Sequence, residues 1–121
     1  MKQLIPALAL LAAPVLAAPA FAASITEAEI ATLPAADVIF LGELHDNPWH
    51  HDTQARAVAT LAPRALVFEM LTSEQAKQVT PDLVMDQAAL DQALGWATGG
   101  WPDFDMYYPI FQAAQGADKA L

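Results

Sequence analysis

The stretch of sequence that decides the fold is Asp-Val-Ile-Phe-Leu-Gly-Glu-Leu-His-Asp-Asn-Pro, residues 37–48. It begins as a short continuous apolar run, which is typical of a strand buried on both faces in a parallel sheet. It ends with Asn47-Pro48, a helix N-cap followed by proline at the first helical position. The stretch therefore predicts a strand over 37–42 and a helix from Pro48 to about Leu61.

A second apolar run, Ala65-Leu66-Val67-Phe68-Glu69, follows this helix and completes one βαβ unit. Capping and terminating residues predict three more helices, over 73–79, 86–94 and 108–115. The expected fold class is α/β, with a mixed or parallel sheet and flanking helices. Because two buried strands leave sheet edges unpaired, we expect an incomplete N-terminal portion of a domain, or a homodimer that completes the sheet.

The first 23 residues have the pattern of a secretory signal peptide. Met1-Lys2-Gln3 is a short basic start, Leu4 to Ala18 is almost entirely apolar, and Ala20-Phe21-Ala22 matches a small-x-small cleavage site. Three prolines interrupt the segment, and it is shorter than the roughly 20 apolar residues that a membrane span needs. We therefore expect residues 1–23 to be removed, leaving a partial domain over 24–121 in the periplasm or outside the cell.

The composition excludes several classes of protein. The chain has 14 acidic and 5 basic residues, which give a formal net charge of −9. Nucleic-acid binding depends mostly on Lys and Arg, so no nucleic-acid partner is expected. The chain contains no cysteine, so we expect neither a lipoprotein, a thiolate metal site nor a cysteine nucleophile.

Polar side chains follow both predicted strands. Glu43 and His45 come directly after the first strand and Glu69 closes the second, so all three should converge at one sheet edge, where open α/β sheets bind ligands. This set of ligands suits a divalent ion such as Zn, Mn or Fe. His50 and His51 are further candidate ligands, because the first turn of a helix favours the neutral imidazole.

Two interpretations of this cluster stay open. In a metal-dependent hydrolase, Glu43, His45 and Glu69 would be catalytic, with the ion activating a water and one glutamate acting as general base. In the simpler interpretation, Glu43 and Asp46 cap the following helix and the histidines are exposed polar residues.

The segment from Val38 to Pro48, with the His50-His51 pair and Gln54, resembles the opening motif of the ChaN-like family of haem-binding uptake proteins. This family shares a superfamily with the Tiki and TraB proteins and the erythromycin esterases. The similarity continues through Leu66-Val67-Phe68-Glu69-Met70, Gly100-Trp101-Pro102-Asp103-Phe104 and Tyr107-Tyr108-Pro109.

The resemblance implies an exported, mixed α/β haem-binding protein that acts in haem or iron uptake, with outer-membrane uptake machinery as a partner. It also implies that Gly42, Glu43, His45 and Glu69 match the metal or catalytic positions of hydrolytic members of the superfamily. We expect haem binding as the function, and the metal-dependent hydrolase is the alternative.

A cluster of aromatic residues offers a surface for haem. Six of the ten aromatic side chains lie within sixteen positions, beside Gly99-Gly100: Trp96, Trp101, Phe104, Tyr107, Tyr108 and Phe111. A flat macrocycle needs an apolar surface, and a phenolate can bind ferric iron. The candidate haem contacts are therefore Trp101, Phe104, Tyr107 and Tyr108, with either tyrosine as the axial ligand and His45, His50 or His51 as competitors.

The same spacing also fits an ordinary core. Phe104, Tyr107, Tyr108 and Phe111 stand at i, i+3, i+4 and i+7, which is typical of the buried face of a helix. Pro109, however, predicts that the stripe does not lie on one continuous helix.

Overall fold

The computed structural model describes residues 23–115. It contains two 3₁₀ helices, Glu27–Thr32 and Trp96–Thr98, and five α-helices: α1 Pro48–Leu61, α2 Ser73–Ala76, α3 Pro81–Val84, α4 Gln87–Leu94 and α5 Phe104–Ala114. None of the helices within 23–115 combines the length and apolar character that crossing a membrane requires. The predicted export segment lies outside the described residues, except for residue 23.

The prediction of an α/β sheet, and of a βαβ unit within it, is wrong. Residues 23–115 form helices and irregular segments and contain no strand. Both predicted strands are irregular, apart from an isolated bridge residue at Ala65. Several of their apolar side chains face solvent, with Val38, Phe40 and Val67 exposed by 66%, 92% and 98%. Leu66 and Phe68 are partly buried, but they pack against the helical core and not against a second strand. A strand forms only where a neighbouring backbone accepts and donates its hydrogen bonds, and no such ladder joins these runs within 23–115.

Helices with strong local signals begin and end close to where the sequence predicts. Helix α1 runs from Pro48 to Leu61, and the Asn47 side chain accepts a hydrogen bond from the Trp49 N–H at 3.1 Å. Helix α4 is capped by Asp86 and ends at Gly95, whose φ of 60° is the left-handed conformation that glycine adopts easily. Helix α2 has the predicted capping box but is shorter than expected.

Helix α5 corrects two expectations. It begins at Phe104 rather than at Tyr108, and it continues through Pro109. Proline cannot donate a backbone hydrogen bond and costs about 3 kcal/mol inside a helix. The helix persists because its aromatic face is almost completely buried, with Tyr107 and Phe111 both 0% exposed. The interpretation of the stripe as a core face is thus confirmed.

The core lies between α1 and α5 and is closed by α3, α4 and the second 3₁₀ helix. Phe111 stacks on Phe68, with ring centroids 4.6 Å apart and an interplanar angle of 6°. The Trp96 indole donates to the Pro102 carbonyl at 2.8 Å, which satisfies its buried N–H. The buried residues of this cluster are Val58, Val84, Leu90, Leu94, Trp96, Phe104, Tyr107, Ile110, Phe111 and Ala114.

Candidate functional site

A turn immediately before α1 brings Glu43 and His45 together. The Asn47 N–H donates to the Leu44 carbonyl at 2.9 Å, and this turn carries the chain into the helix. The His45 ring folds back toward Glu43, so that its Nδ1 lies 2.6 Å from Glu43 Oε1. Because a carboxylate only accepts hydrogen bonds, the proton of this bond resides on Nδ1.

Glu43 is the centre of a hydrogen-bonded cluster. Its side chain is only 10% exposed, and besides His45 it accepts from the Tyr107 hydroxyl at 3.1 Å and lies 3.1 Å from Nδ1 of His51. Burial by itself raises the pKa of this carboxyl group, but the hydrogen bonds from His45, Gln54 and Tyr107 and the electrostatic interaction with His51 outweigh burial. The net result is a pKa below the ordinary value, so the carboxylate form is favoured.

His51 fixes this cluster to helix α1. It is fully buried, and its Nε2 donates to the His45 carbonyl at 3.0 Å. Its Nδ1 faces both Glu43 and, at 3.2 Å, Oε1 of Gln54. The Gln54 amide N–H in turn donates to the Leu41 carbonyl at 3.1 Å, which settles the orientation of that amide.

Tyr107 fixes the cluster to helix α5. Its hydroxyl donates to Glu43 and lies 3.2 Å from the His45 carbonyl, and its ring packs on His51 with centroids 4.1 Å apart. Burial raises the pKa of this phenol, and the negative charge of Glu43 raises it further. The Tyr107 hydroxyl therefore stays protonated and serves as a donor to the cluster.

The outer face of the cluster is open to solvent. The His45 side chain is 38% exposed, and its Nε2 lies 3.8 Å from Oε2 of Glu69, which is beyond hydrogen-bond distance. Trp101 packs against the same ring edge-on, with centroids 5.0 Å apart and an interplanar angle of 69°. The Glu69 side chain is 75% exposed. Among residues 23–115, Nε2 of His45 thus has no hydrogen-bond partner and lies beside an aromatic ring.

The predicted site residues divide into two groups. Those that meet in the cluster or at its outer face are Glu43, His45, His51, Glu69, Trp101 and Tyr107. They converge between the turn before α1 and helix α5, not at the edge of a sheet. Three others are used elsewhere: His50 accepts from the Leu44 N–H, Tyr108 donates to the Val84 carbonyl, and Phe104 packs against Trp96.

The predicted divalent metal site stays a prediction. Within residues 23–115, no group of three or more His, Asp or Glu side chains is arranged to hold a metal ion. The inner oxygens of Glu43 instead face ring nitrogens and a hydroxyl group. The hydrolase alternative therefore has no further support from the geometry of this part of the chain.

Gln54 is a member of the cluster to which the sequence analysis gave no role. It follows His51 by three residues on α1, and side chains at this spacing share one face of a helix. That spacing is the signal that could have identified Gln54 as a partner of the buried histidine.

The model of one protein family, described as haem-binding uptake, Tiki superfamily, ChaN, matches residues 30–120. The chain belongs to this family. The predicted resemblance is thereby confirmed, and the match spans every residue of the cluster. No curated protein and no solved structure matches the chain. Membership of the ChaN family supports a haem-related function.

Proposed function

We propose that this ChaN-family protein binds ferric haem at the outer face of the cluster, with Nε2 of His45 as the axial ligand. The observation that carries this proposal is the orientation of one ring. Nδ1 of His45 is engaged by Glu43 at 2.6 Å, and Nε2 points outward from a half-exposed side chain. Neutral imidazole is a common axial ligand of haem iron, and when bound the haem supplies the iron and its redox chemistry.

The tautomer of His45 supports this assignment. With the proton on Nδ1, the lone pair of the neutral ring is on Nε2. A carboxylate behind a ligating histidine is a recurrent arrangement that fixes both the tautomer and the orientation of the ring. The ring therefore needs no reorganisation in order to bind a metal centre.

The tyrosines are less suited to this role in the described fold. Tyr107 is 0% exposed, and its hydroxyl already donates to Glu43. The Tyr108 hydroxyl donates to the Val84 carbonyl at 2.8 Å. Binding iron through either phenolate would require breaking these bonds and, for Tyr107, removing a proton from a buried phenol whose pKa is raised.

The surroundings of His45 fit a ferric porphyrin whose carboxylates face water. Trp101 supplies an aromatic surface beside the ring, and Glu69 supplies negative charge near a cationic ferric centre. Arg56 and Lys77 lie next to Glu27 and Glu74 instead. We therefore place the haem propionates in solvent. Together with the signal-like residues 1–23, this leads us to propose an exported protein that carries haem in haem or iron uptake.

The test is a titration with ferric haem followed by absorption spectroscopy. We expect a Soret shift typical of histidine ligation in the wild type, its loss in His45→Gly and its return when imidazole is added to that variant. Trp101→Ala should weaken binding by roughly tenfold through loss of apolar contact. Trp49→Ala, which removes an indole that is 76% exposed, is the matched control and should bind normally.

Two results would overturn the proposal. If the wild type produces no Soret shift with micromolar haem, the protein does not bind haem at this face. If His45→Gly keeps the wild-type spectrum and Tyr107→Phe or Tyr108→Phe loses it, the ligand is a tyrosine.

A further inference from the structure

An apolar cavity lies between the first 3₁₀ helix, the irregular segment that leads to the turn before α1, and α1 itself. Its volume is about 250 Å³. Apolar side chains form most of its wall, among them Ile25, Ile30, Leu33, Phe40 and Leu41. Ile25 and Phe40 are exposed by 56% and 92%, so part of this wall is apolar surface in contact with water. An occupant that covers such surface is favoured by the hydrophobic effect.

None of the described residues that line the cavity carries a charge. Its polar side chains are those of His50, Thr53 and Gln54. Nδ1 of His50 accepts a hydrogen bond from the Leu44 N–H at 2.9 Å. The lone pair of the ring is therefore on Nδ1 and the proton on Nε2, which makes the imidazole neutral. A charged ligand would leave water without meeting an opposite charge, so the lining favours a neutral one.

His50 supplies the hydrogen-bond donor of this cavity. The hydroxyl proton of Thr53 is used on the Trp49 carbonyl at 2.9 Å, and the Gln54 amide donates to the Leu41 carbonyl at 3.1 Å. Within residues 23–115, Nε2 of His50 has no partner, yet no buried side-chain nitrogen or oxygen there lacks one, so this atom is accessible. Its N–H group is available to an acceptor on the ligand.

We propose that the cavity binds a small neutral aliphatic molecule that carries one hydrogen-bond acceptor, such as a medium-chain ketone or ester. The aliphatic part covers the apolar wall, and the acceptor meets the Nε2–H of His50. The volume is below the range of about 300–1,000 Å³ that is usual for drug-sized ligands, which limits the occupant to a short chain. A porphyrin is too large for this cavity, so the site is distinct from the proposed haem face.

The experiment is a titration of the haem-free full chain with methyl hexyl ketone, followed by calorimetry and by two-dimensional NMR of the backbone amides. We expect saturable binding with a dissociation constant below about 1 mM. The chemical-shift changes should be largest at the cavity, at Ile30, Gly42 and Ala57. Octanoate has the same number of carbon atoms but carries a charge, and we expect it to bind at least about tenfold more weakly.

The variants separate the apolar wall from the donor. Thr53→Leu places a larger side chain at the cavity from an exposed position of α1 and should abolish binding. Thr60→Leu is the matched control, because it makes the same change at an exposed position of α1 that does not line this cavity, and it should bind normally. Ile25→Gln is the second variant for the wall, and it should weaken binding through loss of apolar contact.

His50→Asn tests the donor. Its side-chain oxygen still accepts from the Leu44 N–H, but the shorter side chain has no N–H group that reaches as far as Nε2. The affinity for the ketone should therefore fall about fivefold, as for the loss of one neutral hydrogen bond.

Saturable binding that Thr53→Leu abolishes and Thr60→Leu preserves supports the proposal. The absence of saturable binding, or shift changes centred on exposed apolar residues elsewhere such as Val67 and Met85, overturns it. Equal affinity for octanoate, or an unchanged affinity in His50→Asn, refutes the assigned ligand class. None of these outcomes depends on haem binding.

Discussion

Glu43→Gln in the protein without haem tests whether the buried carboxylate stabilises the fold in its charged form. The substitution preserves the shape of the side chain and removes its charge. The glutamine oxygen can still accept from His45 and Tyr107, but its amide N–H group would face His51 Nδ1, where the carboxylate oxygen now lies 3.1 Å away. Hydrogen bonds to charged groups contribute about 1.5–3 kcal/mol and neutral ones about half as much, so we expect a loss of about 2 kcal/mol near neutral pH.

The effect should depend on pH in a defined direction. The pKa of Glu43 is lower in the folded protein than its ordinary value of 4.5. The stability that the carboxylate contributes is therefore fully present above about pH 4.5 and is lost as the pH falls through the lowered folded value. The difference between wild type and Glu43→Gln should shrink toward zero as the solution becomes more acidic than about pH 4.5.

The assay is urea denaturation, followed by tryptophan fluorescence and circular dichroism, at several values from about pH 7 to about pH 3. Glu74→Gln serves as the control, and we expect it to stay within about 0.5 kcal/mol of the wild type. A difference between wild type and Glu43→Gln that does not shrink below about pH 4.5 would refute the reasoning.

Three further predictions address the core, the export segment and the metal site. Phe111→Ala should lower the free energy of unfolding by about 3–5 kcal/mol, because it removes a fully buried ring stacked on Phe68, whereas Val67→Ala at an exposed position should change it by less than about 0.5 kcal/mol. Intact-mass analysis of exported protein should show a chain that begins after Ala22 or after residue 23; retention of Met1 would contradict this. If a divalent ion binds, elemental analysis should show that its stoichiometric uptake is lost in His45→Ala, and equal metal content in the two proteins would exclude this site.

The helices could be predicted where the signals are local. Asn47-Pro48 and Asp86 satisfy free N–H groups within the first turn, and Gly95 adopts the left-handed conformation within one residue of the helix end. Each of these interactions is complete within a few neighbouring positions. No distant partner is needed, so the sequence alone determines these helix ends closely.

The strands could not be predicted in the same way, because a strand depends on a partner elsewhere in the chain. The runs at 37–42 and 65–69 have the apolar composition of buried strands, yet within residues 23–115 neither pairs in a ladder and Phe40 is 92% exposed. Composition indicates that a segment prefers a buried, paired position, but it does not supply the pairing. The same argument explains α5, where tertiary burial of Tyr107 and Phe111 outweighs the local effect of Pro109.

The sequence predicts that Glu43, His45 and Glu69 lie close together, but the predicted cause, a shared sheet edge, is wrong. The expected sheet edge is absent from residues 23–115, and the three side chains meet through the turn before α1 and the approach of residue 69. Tyr107 joins the cluster because α5 packs against α1, and no local sequence pattern encodes that packing. Its aromatic neighbours indicated a ligand surface, whereas its hydroxyl serves an internal carboxylate.

The free energy needed to bury the polar groups of this cluster is itself an argument about function. A buried carboxylate and a fully buried histidine must be taken out of water, and well-packed apolar residues of similar size often stabilise a fold as well or better. Here the polar groups lie against an aromatic core, and the hydrogen bonds of His45, His51 and Tyr107 hold Glu43 or orient His45. Local departures from the apolar interior are expected where a protein maintains a site rather than a core. The polar cluster behind His45 is therefore better explained by a ligand bound at Nε2 of His45 than by the stability of the surrounding helices.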